Sequence, residues 1–435
     1  VSGEQALQDL CKDALRVAGE PEVEVYATSR ERGFARFAIS ELGQHMQVTE
    51  PLVVVRAAHG KRIAEATTSR LDRAAIVGVI QEAAAAARLV PETEGFAGFA
   101  GADEPTGEDP PRFARTTALA TADDRVGRLE PVLDAVAKAG LVSAGVLETR
   151  ATCVALATTR GLARAHASTA ATFKVWALET PGAGGASGHG AATHKDVEAL
   201  DLARETERAI RICRMGKDPG SLDAGTYDVV MEPPAVAELI EWLANITFGA
   251  PEVEQGTSAI AGRIGERITG EAITLTEDPL DPTDQGFGAP FDREGVWHTR
   301  VKLVERGVAR AALYDRIYAA RAGGSSTGSS LLSDNGAGVG ASAVHLDPGT
   351  AASVEELIAG VDRGVYVCRL HYVNGLLEPR RAVMTGLTRD GCFLIEKGKI
   401  ARAVGNLRFT DSLLEGLGRC DGMTRERVAV PTWWS

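Results

Sequence analysis

No two cysteines in this sequence stand at the spacing of a CxxC pair, and no apolar run approaches the roughly 20 residues that a membrane-spanning helix needs. The six cysteines (11, 153, 213, 368, 392 and 420) are scattered without a repeated spacing, which fits reduced thiols in a cytosolic protein better than a disulfide framework. The opening stretch VSGEQALQDLCKDALRVAG holds Glu4, Asp9 and Asp13 and lacks a basic start with an apolar middle, so it does not read as a secretory signal. Positive charge is also short. With 47 Lys and Arg against 59 Asp and Glu the net charge is −12, which disfavours a phosphate backbone as direct partner. These absences predict a cytoplasmic chain with no membrane segment and no direct nucleic-acid contact. Lysine is scarce too, 9 against 38 arginines, which with abundant alanine and glycine points to a GC-rich genome. At 435 residues the chain has length for two to three domains and needs no metal or disulfide staple for its core.

What is present reads as α+β. Leu7, Leu10, Cys11, Ala14, Leu15 and Ala18 recur at helical spacing over 4–18, and Gly19 suits the helix end. Strands follow as EVEVYATSR, FARFAIS, GQHMQVTE and LVVVRAA, with a turn at AHGKR into RIAEATTS. Ser69 and Asp72 start a helix through Arg88. Residues 91–121, rich in Gly, Pro and acids, read as a surface linker, and a helical stretch near 122–139 is interrupted at Pro131. Long hairpins are expected from Val142 to Thr193, then a helix capped by Asp196 and running to about Met215. The segment GKDPGSLDAGT, 216–226, is the expected boundary between an N-terminal α+β domain with a mostly antiparallel sheet (1–218) and a β-rich C-terminal domain (219–435). Beyond it lie the strand TYDVVM, a helix in EPPAVAELIEWLANITFG, strand-like EAITLT, an acidic loop from 277 to 295, a helix around 311–322, a flexible Gly/Ser segment from 322 to 342, and closing strands that include VYVCRLHYV.

Four segments in this order resemble the TldD/PmbA family, the metallopeptidase-related proteins once called modulators of DNA gyrase. They are ARFAISELGQHMQVTEPLVVVRAAHGKRIAEATTSRLDRAAI, TTRGLARAHASTAATFKVWALE, APFDREGVWHTRVKLVERGVARAALYDRIYAARAGGSSTG, and GVYVCRLHYVNG with MTGLTRDGCFLIEKGKIARAV. The resemblance implies a two-domain fold, dimers and a peptide site in an enclosed cavity. It also implies that, in the catalytic branch, the helix after TYDVVM bears His-Glu-x-x-x-His and a cysteine near the C-terminus completes a zinc site.

In this sequence that helix reads AVAELIEWLANITF, and no histidine occurs between His194 and His298. A peptidase zinc needs imidazole or thiolate ligands, an open position for water and a nearby carboxylate. Glu238 or Glu241 would offer the carboxylate, but Val236, Leu239, Ile240, Leu243 and Ile246 form a stripe suited to packing on a sheet. Cys392 and Cys420 are further ligand candidates, and Cys420 falls in the region where the resemblance places the family's cysteine ligand; a lone cysteine also suits a buried apolar site. Cys368 and His371, if on one strand, face opposite ways, as do His189 and His194 around their glycine-rich turn. The hydroxyls of GGSSTGSS, with Ser325, Ser326, Thr327 and Gly328 as candidates to line a peptide cavity, form neither a Gly-x-Ser-x-Gly elbow nor a phosphate loop. The acids Glu277, Asp278, Asp281 and Asp284 lack calcium-loop spacing and read as solvated surface, and Asp292 and Glu294 of FDREG read as a structural turn.

The expectation is therefore a PmbA-like, or TldE-like, non-catalytic subunit of a heterodimeric zinc peptidase acting on unfolded peptides or peptide-like conjugates. It holds no cofactor, and zinc sits on a His-Glu-x-x-x-His paralogue. Alternatives are a homodimeric regulatory protein acting on gyrase or a toxin, and an independent hydrolase with an unrecognised site.

Overall fold

The computed structural model describes residues 3–179, 185–281, 288–333 and 336–432. The N-terminal half is built on one six-stranded antiparallel sheet in the order β3-β2-β1-β4-β5-β6. Its strands are β1 (Val23–Ala38), β2 (Glu41–His59), β3 (Arg62–Thr68), β4 (Val142–Thr158), β5 (Ala163–Leu178) and β6 (Ser187–His194). Alternation along these strands gives the sheet two unlike faces. Val25, Ala27, Val53, Val55, Cys153 and Ala155 meet helices α1 (Glu4–Ala18) and α2 (Arg73–Ala87). Further along the same face, Phe37, Leu147, Phe173 and Val175 meet α4 (Ala122–Lys138) and α5 (Leu202–Met215), while α3 is a single turn at Arg115–Ala118. The other face carries Tyr26, Thr28, Arg30, Arg150 and Thr152 toward the C-terminal half.

That half opens with β7 (Asp228–Met231), which runs parallel to β14 (Arg363–Val367) in a sheet completed by β17 (Cys392–Glu396) and β18 (Lys399–Ala403). Helix α6 (Pro233–Thr247) follows at once, with prolines at its first two positions, where no intrahelical amide is lost. Its Leu239, Ile240, Leu243 and Ile246 enter a core with Val365, Val367, Leu370, Met384 and Leu394. After α7 (Ala250–Glu254), strands β8 (Leu275–Glu277), β9 (Val301–Glu305), β10 (Val308–Ala309) and β13 (Val344–Leu346) make a second sheet around α8 (Arg316–Arg321) and the hairpin β11 (Ser330–Ser333) and β12 (Gly336–Val339). Beyond α9 (Val354–Ala359), strands β15 (Leu370–Glu378), β16 (Val383–Thr388) and β19 (Arg408–Ser412) form a third, closed by α10 (Leu413–Gly418).

Several expected boundaries move, each for a local reason. The four strands expected between 22 and 58 are two, because Gly33 lies within β1 and Pro51 within β2. A Cβ at Gly33 would lie 2.5 Å from the guanidinium carbon of buried Arg125, which needs the gap. The true turn is at Ile39 and Ser40, both at positive φ. Helix α4 continues through Pro131, since Leu129, Val132 and Val136 on either side of it are buried. Asp196 caps only the one-turn helix Val197–Ala199, and Asp201 caps α5 by accepting the Arg204 amide at 2.9 Å. The helix expected around 311–322 is shorter, and VYVCRLHYV is two strands broken at Cys368 and Arg369. Residues 91–121 are more than a surface linker. Phe96, Phe99, Arg112 and Thr117 are buried, and Arg112 donates across the molecule to the carbonyls of Gly288, at 3.1 Å, and Pro279.

Candidate functional site

Between the free face of the large sheet and the C-terminal half runs a groove of about 2680 Å³. Its floor is the sheet. One wall is the segment from Phe291 to Arg293 with His298 and Ser330, and another is the face of α6 bearing Val236, Ala237, Ile240, Glu241, Ala244 and Asn245.

The first wall is anchored by buried charge. Asp292 accepts the amides of Glu294 at 2.9 Å, Val296 at 3.0 Å and Ser330 at 2.9 Å, a side chain folded over its own turn around Gly295. That glycine has φ 76°, and a Cβ would press on Leu162 in the turn between β4 and β5. Burial, then the nearby Glu294 carboxylate, pushes the Asp292 carboxyl well above its ordinary range. Glu294 pairs with Arg56 of β2 at 3.0 Å and accepts the Arg316 amide at 2.8 Å, while Arg56 also holds Glu24 of β1 at 2.6 Å. Arg293 bonds to Glu65 of β3. The turn reading of Asp292 and Glu294 thus acquires partners that the sequence did not single out. Arg56, Glu24 and Glu65 are ordinary charges in strand-like runs, and only the register brings them to one side. His298 donates toward the Gly328 carbonyl at 2.5 Å, and burial lowers its pKa to about 4. No sequence signal marked it as a groove residue.

The second wall is where a relative's zinc motif is expected. Glu241 is half-buried: one oxygen accepts the Thr432 hydroxyl at 2.6 Å, and burial raises its pKa. Lys174 of β5 donates to the Thr432 carbonyl at 3.2 Å, so the chain near 432 ties α6 to the sheet. Glu238 lies half-buried on the same helix but does not line the groove. Cys420 lines it, yet its thiol turns to the Gly422 carbonyl at 3.6 Å, and burial pushes its pKa up. Among the described residues no three His, Cys, Asp or Glu side chains are placed to hold a metal ion. The groove-facing side chains of α6 do not suit zinc, because hydrocarbon, amide and one carboxylate replace the imidazoles.

The hydroxyl-rich segment departs from expectation. Ser326 and Thr327 donate to the Tyr314 carbonyl at 3.0 and 3.1 Å, Gly328 accepts from His298, and Ser325 is exposed. Residues 326–328 are tied to Tyr314 and His298, and the groove is lined a little further on, by Ser330, Leu331 and Leu332. The segment's first glycines follow α8, and Ser326 and Thr327 spend their hydroxyls on the Tyr314 carbonyl. Of the acidic run, Glu277 is buried and accepts the Ser342 amide at 2.8 Å, so it is not solvated surface; Asp284 lies outside the described residues. Cys368 is buried in the break between β14 and β15 and His371 is half-buried on β15, so the single-strand geometry expected for them does not hold.

Residues 224–433 match the family described as the PmbA/TldA metallopeptidase C-terminal domain. A protein named metalloprotease from Methanothermobacter thermautotrophicus is 30% identical over 244 residues, 55% of this chain and 51% of the relative. Another of that name from Archaeoglobus fulgidus is 27% identical over 192 residues, 44% of each. The chain spans about half the length of the curated relatives it matches. Among solved structures, TldE from Thermococcus kodakarensis shares the fold at TM-score 0.88 and 20% identity, over 97% of this chain and 96% of that one. A putative modulator of a DNA gyrase from Thermotoga maritima does so at 0.86 and 18%, with the same coverage.

Proposed function

Since the chain belongs to the TldD/PmbA family, we propose that it is the non-catalytic subunit of a heterodimeric metallopeptidase. In this reading it supplies a wall and floor for an extended peptide, and a His-Glu-x-x-x-His paralogue supplies zinc, water and general base. The observation that carries the reading is the chemistry of α6. Val236, Ala237, Ile240 and Ala244 face the groove where imidazoles would have to stand, and Glu241 is engaged with Thr432. The size of the groove supports an extended substrate, because about 2680 Å³ exceeds the roughly 300–1,000 Å³ of small-molecule pockets. Residues 41–52 of β2 pair only with β1 among the described residues, and Glu50 to Leu52 line the groove, so a peptide strand has an open edge to join. Substrates are then unfolded peptides or peptide-like conjugates, met in the cytoplasm.

Co-expression with such a paralogue tests the proposal. The expected result is a stable one-to-one complex whose peptidase activity disappears when the paralogue's motif glutamate is changed and survives Glu241→Gln here. A homodimer that ignores the paralogue favours the regulatory alternative, and peptide hydrolysis by this chain alone favours an independent hydrolase.

A further inference from the structure

The groove floor carries charge that the protein as a whole would not suggest. On the sheet face toward the groove, register places Arg32 of β1 opposite Arg150 of β4, with Arg30 opposite Thr152 one pair further along. Arg30 and Arg150 are therefore diagonal neighbours, with backbones about 7–8 Å apart, within reach of a shared ligand for side chains of this length. Both line the groove, together with Glu50, Thr28, Thr152 and Ser168.

The local carboxylates do not balance them. Glu148 is taken by Arg32 at 2.7 Å. Glu50 stands 3.9 Å from Arg30, with both side chains more than two-fifths exposed, a loose pair of little energetic weight. Arg150 is half-buried, and no hydrogen bond or ion pair engages its guanidinium among the described residues. Burial, and then the charge of Arg30, work against the Arg150 cation. An arginine held partly out of water beside a second arginine, with hydroxyls around it, is arranged to receive an anion.

We propose that Arg150 and Arg30 form a carboxylate subsite on the groove floor, so that the groove selects peptides carrying an acidic group at that point. This rests on the reading of the groove as a peptide site. The carboxylate has two sources, an Asp or Glu side chain or the peptide's own C-terminus, and both present the planar pair of oxygens that a guanidinium fork matches.

The test is fluorescence anisotropy with the full chain and three labelled, otherwise identical peptides. One has a central Glu and an amidated end, one a central Gln and an amidated end, and one a central Gln and a free carboxylate. At least one carboxylate peptide is expected to bind about tenfold tighter than the neutral one, the worth of one charge-assisted contact. Which one does so names the source. Arg150→Met and Arg30→Met should each bring the carboxylate peptide's affinity down to that of the neutral peptide measured on the same variant, and Arg150→Glu should turn the preference toward a fourth peptide with central Lys. Unchanged thermal midpoints show that the variants fold. If all three peptides bind equally and the variants match the parent chain, the subsite is overturned while the peptide groove stands. If no peptide binds, in the chain alone or with its paralogue, subsite and groove fall together.

Discussion

Arg56 sits where the two halves of the chain meet, 7% exposed, between Glu24 of the sheet and Glu294 of the groove wall. Removing it alone leaves two buried carboxylates facing each other, so Arg56→Met should cost about 3–5 kcal/mol in urea unfolding. Adding Glu24→Gln and Glu294→Gln should recover part of that loss. His298 makes a second prediction. Its pKa is lowered to about 4 by burial, so the folded chain binds fewer protons there than the unfolded one between pH 6.5 and pH 4. Stability from this group is present above pH 6.5 and is lost as pH falls through that window. At about 1.4 kcal/mol per pH unit, the penalty reaches about 3 kcal/mol near pH 4. His298→Gln should flatten that part of the pH profile, measured by thermal melts. Neither residue was legible in the sequence as a site. A charge in a strand-like run has no meaning until register supplies its neighbours, and a lone histidine declares nothing about burial.

Among the elements, those governed by local pattern were readable and those governed by tertiary contact were not. Helix α1 ends at Gly19 in the left-handed region as its spacing predicts, and α2 begins at its Asp72 cap. The break wrongly expected near Gly33 reflects a glycine chosen for Arg125, a contact more than 90 residues away. Glycines of β6 follow the same logic. A Cβ on Gly190 would strike the Glu205 carbonyl, and one on Gly188 the Ala209 carbonyl, because α5 packs directly on the strand. Overpacking of this kind costs about 1–3 kcal/mol, so Gly190→Ala should lower the unfolding free energy measured in urea by about that amount. The same substitution at Gly127, where nothing lies within 4 Å, should be neutral or stabilising. The helix α6 was legible as an apolar packing helix. Its engagement with residue 432 was not, since nothing local links Glu241 to Thr432.

At the scale of the whole molecule, the sheet is covered by helices on one face and left open as a floor on the other, and the C-terminal half is held over that floor by buried ion pairs and by the 91–121 connector. An acidic chain thereby presents an arginine-bearing floor and a helix wall without imidazoles to the same groove. In the proposed reading, α6 keeps the groove's architecture without its metal chemistry. Zinc content of the purified chain, alone and in complex with a His-Glu-x-x-x-His paralogue, measures this most directly. The prediction is far less than one zinc per chain alone and one zinc per pair in the complex, unchanged by Glu241→Ala or Cys420→Ala in this chain. One tightly held zinc in the chain alone, lost on either substitution, would contradict it.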